Sequence, residues 1–301
     1  MSTRRRTGLR PPQRKPTQEA TPGQAHTLRI VAAIVANTTL LTALLYYFGL
    51  VATQVFFAHF RVHYTLLRQG TDEILGRGAD GLFLPLAAIA GAVLATALTV
   101  RLLRTRLSAR QWSALLRVAT PVAGVAGFGL LCAVVPMVSD PGLFPVYPGL
   151  AGIGFALGVL LLVFAWRRWT AAAGPTRVVE SAITFLLVSV GLFWAVGDYS
   201  SAVSVRRGYE VEARIPAMPS VVVYSARSLR LTGVHETTCA SADAAYRYRY
   251  DGLKLLLQSG GQYVFVPATW HRADGTAYVV PESGSLRLEF GPPPRMPPPT
   301  C

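Results

Sequence analysis

Hydrophobic residues are gathered into five long blocks that occupy most of the first two thirds of the chain. These blocks cover residues 28–51, 82–103, 118–138, 149–166 and 178–196. Each is close to the length of about 20 residues that an α-helix needs to cross a hydrocarbon core of about 30 Å. The pattern therefore predicts five transmembrane helices.

The pattern changes after Gly197-Asp198, where the last apolar block ends. Apolar and polar residues then alternate in GYEVEARIP, VVVY forms a short apolar run, and YRYRYDGLKLLLQ alternates again. A period of two predicts β-strands, and Gly260-Gly261 predicts a hairpin turn into QYVFVP. With TAYVVP and SLRLEF, the C-terminal part should hold five or six strands, while residues 232–246 form a loop or one helix. The predicted fold is an α-helical membrane bundle followed by a small β-rich (α+β) soluble domain.

Four parts of the chain follow from these patterns. Residues 1–27 are rich in Pro, Arg, Thr and Gln without an apolar period, so we expect a disordered basic tail. Residues 28–202 form the transmembrane domain, in which the loop at 56–81 should place one or two short helices at the outer interface. Residues 203–291 form the β-rich domain, and residues 292–301 form a Pro-rich tail that should be extended and disordered.

The composition agrees with a membrane protein. Charged residues make up only 15% of the chain, hydrophobic residues 51%, and the mean hydropathy is +0.38, whereas soluble domains carry about 25% charged residues. The formal net charge of +14 would suit nucleic acid, but no nucleic-acid-binding motif accompanies it. Most basic residues are arginines beside apolar blocks, so the expected partner is the lipid bilayer and not nucleic acid.

The distribution of arginine and lysine predicts the orientation. The N-terminal tail has five Arg and one Lys, the loop after the second span has five Arg, and the loop after the fourth has three. The loops on the opposite side have three Arg and none. Because basic residues concentrate in cytoplasmic loops, the N-terminus should be cytoplasmic and the C-terminus extracytoplasmic, in a multi-pass protein of the plasma membrane.

Two histidines are the weak candidates for a metal site. His59 and His63 are four residues apart, so a helix would place both on one face, with Asp72 or Glu73 available to complete a ligand set. The alternative is an interfacial helix whose polar residues point to water, and two histidines without a fixed third ligand favour that alternative. His235 in HETTC has the same spacing to Cys239 and the same weakness. No metal or cofactor is expected.

Other residues suggest structural roles. Cys239 and Cys301 would both face an oxidising compartment, so they are candidates for a disulfide, although Cys301 could also be free. Gly154 and Gly158 form a GxxxG pattern that predicts close helix packing, within the chain or in a homo-oligomer. In YRYRY, the tyrosines up to Tyr250 should face inward, with Arg247 and Arg249 outward.

No catalytic motif stands out in the sequence. There is no phosphate loop, no H-E-x-x-H, no G-x-S-x-G and no charged residue at the middle of a span. The leading hypothesis is therefore a non-enzymatic membrane protein that anchors an extracytoplasmic domain for binding, sensing or assembly, with another envelope protein as a partner. The alternatives are a transport or channel component and a membrane enzyme with a metal site in the outer loop.

Several stretches carry a resemblance. YFGLVATQ, TDEILGRGADGLFLPL, YRYDGLKLLLQSGGQYVFVP and LRLEF resemble segments of uncharacterised actinobacterial multi-span integral membrane proteins with a small extracytoplasmic C-terminal domain. The resemblance extends over most of the chain. It implies a location in the membrane and no particular reaction.

Overall fold

Five long helices and one antiparallel sheet make up the computed structural model, which describes residues 22–139, 148–170, 176–239 and 245–292. The helices are α1 (Pro22–His59), α2 (Thr71–Arg106), α3 (Ala109–Ser139), α4 (Leu150–Trp169) and α5 (Thr176–Arg214). The strands are β1 (Ser220–Ser225), β2 (His235–Thr238), β3 (Tyr248–Ser259), β4 (Gln262–Pro267), β5 (Tyr278–Pro281) and β6 (Leu286–Gly291). Short 3₁₀ turns occupy Tyr64–Leu67 and Ile215–Ala217. The predicted fold class is confirmed.

All five helices are long and apolar enough to cross a membrane. The chain therefore has the architecture of a multi-pass membrane protein. By its contacts it divides into two compact units, Met1–Leu41 and Thr42–Cys301. The described part of the first unit is the N-terminal half of α1, and the second unit holds every other element.

The fifth helix is longer than the sequence pattern predicted. It has 39 residues, which correspond to about 58 Å of helix, nearly twice the hydrocarbon core. The predicted strand in GYEVEARIP is therefore wrong, and so is the start of β structure soon after residue 203. Val211 and Ile215 fit both a helix and a strand. They are four residues apart, which places them on one face of a helix, and this even separation would also place them on one face of a strand. Their packing in a buried cluster with the end of α1 decides in favour of a helix.

Small residues bring α3, α4 and α5 together. A Cβ added at Gly127 of α3 would lie 2.9 Å from the Gly158 carbonyl oxygen of α4, and one added at Gly152 would lie 2.5 Å from the Gly191 carbonyl oxygen of α5. Such contacts leave no room for a side chain. Gly154 is different, since its Cβ would only touch Val134 at an ordinary 3.7 Å. These close glycine contacts lie within one chain.

The sheet has the strand order β5-β4-β3-β1-β6, and β2 also pairs with β3. The predicted hairpin is confirmed: Gly260 and Gly261 both have positive φ, at 56° and 71°, and join β3 to β4. The predicted strands in VVVY, TAYVVP and SLRLEF are also present as β1, β5 and β6. The stretch expected to be a loop or helix instead contributes β2, while residues 240–244 lie outside the described part.

Arg249 is the second correction to the predicted sheet. Tyr250 is fully buried as predicted, but Arg249 is also buried, with 3% of its surface exposed. Asp251 accepts two hydrogen bonds from its guanidinium at 3.0 and 2.9 Å, and the ring of Tyr224 lies 5.9 Å away. The paired carboxylate offsets the cost of burying the guanidinium charge. A simple alternation of inward and outward side chains does not predict this pairing.

The two tails predicted to be disordered lie almost wholly outside the described residues. At the N-terminus, α1 already begins at Pro22, inside the predicted tail 1–27. At the C-terminus the description ends at residue 292.

Candidate functional site

A cluster of buried aromatic and polar side chains lies where the helix ends meet the sheet. Its apolar part, here called the dock, comprises Phe57, Phe60, Val62, Leu67, Ile215, Val264, Val266 and Trp270. The first four come from the end of α1 and the loop after it, Ile215 follows α5, and the last three belong to β4 and the segment behind it. Burying a large apolar side chain contributes about 1.5–3 kcal/mol, so the dock fastens one face of the sheet to the helices.

Glycines allow the helices that carry the dock to pack closely against one another. A Cβ at Gly78 of α2 would lie 2.0 Å from the Leu45 carbonyl oxygen of α1. Farther along α1, a Cβ at Gly208 of α5 would lie 2.8 Å from Cγ of His59. Helix α1 therefore packs closely against both α2 and α5.

A hydrogen-bonded histidine lies beside the dock. His59, the last residue of α1, contacts Glu212 Oε2 of α5 through Nε2 at 2.8 Å. The other carboxylate oxygen of Glu212 accepts the backbone N–H of Arg272 at 3.0 Å. The guanidinium of Arg272 lies over the ring of Tyr209, 5.5 Å from its centre. One acid thus joins the first helix, the fifth helix and the loop before β5.

A second acid joins α2 to the sheet. Glu73 Oε1 accepts hydrogen bonds from Arg77 at 2.8 Å and from Gln69 at 3.2 Å, and its Oε2 accepts one from Ser259 Oγ at 2.8 Å. Burial lowers the pKa of Arg77, an effect that the neighbouring Glu73 opposes. Next to Ser259, the hairpin glycine Gly260 touches the backbone of Leu67. The β3–β4 turn is therefore held by α2 and by the loop before it.

The linker between α5 and β1 is also fixed. Lys254 of β3 is buried, and its Nζ donates to the Met218 carbonyl at 2.6 Å and to Ser220 Oγ at 3.2 Å. Burial lowers the pKa of Lys254 because water no longer stabilises its charge. A buried lysine bonded to the linker limits how far the sheet can swing away from the helix.

A polar network occupies the sheet face remote from the dock. Tyr250 OH donates to Glu236 Oε2 at 2.8 Å and accepts the Leu229 N–H at 2.6 Å. Ser228 Oγ donates to both oxygens of Glu236 at 3.1 and 3.0 Å. Burial raises the pKa of Tyr250, and the charge of Glu236 acts in the same direction. The network fastens the segment before β2 over the sheet and resembles a structural support more than a reactive group.

The two histidines proposed as metal ligands have separate partners. His59 is buried against Glu212, whereas His63 is exposed and contacts Thr65 Oγ1 through Nδ1 at 2.7 Å. They do not share a helical face, because α1 ends at His59. Across the described ranges, no three side chains of His, Cys, Asp or Glu come close enough together to hold a metal ion. His235 lies on β2, so the helical spacing assumed for HETTC does not occur.

The cysteines differ in state. Cys239 is buried and disulfide-bonded, and its backbone N–H donates to the Arg247 carbonyl at 2.9 Å. Cys132 in α3 is a free thiol. Cys301 lies outside the described residues, so its pairing with Cys239 stays a prediction.

The sequence missed the most important acid of the site. Glu212 was expected on the outward face of a strand, whereas it lies on α5 and binds a residue 153 positions away. The pair Arg206–Glu210, four residues apart and 2.8 Å in separation, is the local signal that could have indicated a helix there. Glu73 was considered as a residue that could complete a metal-ligand set, and its hydrogen bond to Ser259 was not anticipated.

The fold and this site define a class: a multi-pass membrane protein whose C-terminal sheet is fastened to its own helix ends. A scan against protein-family models found no match, and searches of curated proteins and of solved structures found no significant similarity. The function must therefore be argued from the geometry itself.

Proposed function

We propose that this is a plasma-membrane protein that presents a small extracytoplasmic β domain, in a fixed position, for binding or assembly with another envelope component. The observation that carries the proposal is the dock with its two acids, Glu73 and Glu212. A sheet tethered only by a flexible linker would need no such contacts. A sheet fastened to three helix ends keeps a defined height and orientation above the bilayer, which is what a presenting or sensing surface requires.

The charge distribution supports an extracytoplasmic sheet. The last turns of α2 and α4 carry Arg104 with Arg106 and Arg167 with Arg168, at the membrane side opposite to the sheet. Two arginines on the sheet side are engaged by the protein: Arg77 binds Glu73, and Arg61 donates to the Ala273 carbonyl at 2.7 Å. Basic residues concentrate on the cytoplasmic side of membrane proteins. A disulfide at Cys239 agrees with an oxidising compartment.

Labelling of single cysteines in intact cells tests the orientation. With Cys132 changed to alanine, Ser283→Cys on the sheet and Ser108→Cys between α2 and α3 place one exposed thiol on each side. We expect a membrane-impermeant maleimide to label Ser283→Cys in intact cells and Ser108→Cys only after lysis. The opposite pattern would place the sheet in the cytoplasm and contradict the proposal.

The disulfide gives an independent prediction. We expect mass spectrometry of the unreduced protein to find Cys239 linked to Cys301, with Cys132 alkylated without reduction. Closing a loop of this length restricts the unfolded chain, so a Cys301→Ser variant should lose about 2–4 kcal/mol of sheet stability. Alkylation of Cys239 in unreduced protein from intact membranes would show that this pairing is absent.

A further inference from the structure

An apolar groove lies between α3 and α4. Its volume is about 600 Å³, which falls in the range of about 300–1,000 Å³ typical of small-molecule sites. Gly124 of α3 is one of its lining residues, and a Cβ there would lie at ordinary contact distance from α4, 3.6 Å from Cβ of Ala165 and 3.8 Å from the ring of Trp169. The groove lies near the start of α3 and the end of α4, which are at the same side of the bundle.

The groove is open to the surroundings of the bundle. Val125 and Phe128 of α3 are 75% and 65% exposed, and Trp169 of α4 is 67% exposed. These residues belong to helices that can cross a membrane, so hydrocarbon surrounds them. Trp166 and Trp169 lie in the last turn of α4, where tryptophan marks the boundary between hydrocarbon and headgroups. The groove therefore extends from the acyl region to the headgroup level of one leaflet.

Positive charge lies at the headgroup end of the groove. Arg117 is four residues before Pro121 and seven before Gly124, which places it on the groove-lining face of α3. Arg168 of α4 lies on the other face of its helix, because its guanidinium is over the ring of Phe164, 5.9 Å from the ring centre, and Phe164 does not line the groove. Neither helix contains an Asp or Glu. Glu180 of α5 lines a separate cavity with Arg167.

We propose that this groove binds one acyl chain of an anionic phospholipid, with Arg117 at its phosphate. Basic pockets between transmembrane helices at the headgroup level are suited to such lipids. A second copy of the chain fits less well, because a dimer about an axis along the membrane normal would bring the two copies of Arg117 together at the same depth. Charge complementarity therefore selects the lipid over the second copy.

Native mass spectrometry of the full chain in detergent, titrated with phosphatidylglycerol or phosphatidylcholine, tests the proposal. We expect the wild type to bind phosphatidylglycerol more tightly than phosphatidylcholine. An Arg117→Gln variant should lose about fivefold in affinity for phosphatidylglycerol, since one arginine near the headgroups contributes about a fivefold preference for anionic lipid. Its affinity for phosphatidylcholine should remain unchanged.

Two matched controls separate the groove from general effects. Arg104→Gln removes one exposed arginine from α2 on the same membrane side and should leave lipid binding unchanged. Val125→Trp fills the groove and should weaken the binding of both lipids, whereas Val93→Trp on the exposed face of α2 should leave their binding unchanged. The proposal is overturned by equal affinity for the two lipids, by equal loss in the α2 arginine variant, or by a wild-type dimer that Val125→Trp dissociates without changing lipid binding.

Discussion

Replacing Gly260 by alanine is expected to destabilise the docked sheet by about 3 kcal/mol. The residue has φ of 56°, and a Cβ would lie 1.7 Å from the Leu67 carbonyl oxygen and 2.9 Å from that of Arg68. The neighbour is backbone, so it cannot rotate away as a side chain would. The substitution must move the β3–β4 turn away from the loop. This movement breaks the hydrogen bond from Ser259 to Glu73.

Gly261 provides the matched control for this substitution. It has φ of 71° in the same turn, but a Cβ there would meet nothing within 4 Å. Gly261→Ala should therefore cost only the backbone strain, about 1 kcal/mol. Thermal unfolding followed by the fluorescence of the tryptophans, including Trp270 in the dock, measures both variants. Equal destabilisation would show that the turn does not touch the loop.

Replacing Glu212 by alanine is expected to cost about 2 kcal/mol. Its two oxygens hold His59 and the Arg272 N–H. The His59 side chain is 3% exposed and that of Glu212 is 19% exposed, so water replaces these hydrogen bonds poorly. Loss of the acid leaves buried groups unsatisfied and releases the loop before β5 from α5.

Glu210 is the control on the same helix. Its ion pair with Arg206 is exposed, and such pairs four residues apart contribute about 0.3–0.5 kcal/mol. Glu210→Ala should therefore be nearly neutral in the same thermal assay. A double variant of Glu212→Ala with His59→Leu should recover part of the lost stability, because no buried imidazole is then left without a hydrogen-bond partner. Equal effects of the two glutamate substitutions would rule out a special role for Glu212.

The sequence predicted the features of the fold that depend on local patterns of residues. Uncharged blocks identify the spans because the hydrocarbon core requires them, and Gly260-Gly261 identifies a hairpin because both residues need positive φ. The end of α5 was misread because Val211 and Ile215 fit both a helix and a strand. Arg249 was expected outside because its pairing with Asp251, two positions along the strand, was not considered.

The site itself could not be derived from local pattern. Glu212 is 153 positions from its partner His59, and Ser259 is 186 positions from Glu73. Neither pair leaves a periodic signal, since their proximity depends on how the sheet lies on the helix ends. Phe57 and Phe60 fall in the loop at 56–81 that was expected to place short helices at the outer interface. That they pack against the sheet follows only from the folded chain.

Cross-linking between α2 and the β3–β4 turn tests the central claim, that the sheet is fastened to the helix ends. In native membranes of a Cys132→Ala protein, a short bifunctional thiol reagent should link Glu73→Cys to Ser259→Cys within one chain, detectable by mass spectrometry of the joined peptides. The pair Asp72→Cys with Ser259→Cys is the control, because Asp72 is exposed and does not bind Ser259. We expect efficient linkage of the first pair and much less of the second. Absence of linkage in the first pair would mean that the sheet does not rest on the helix ends.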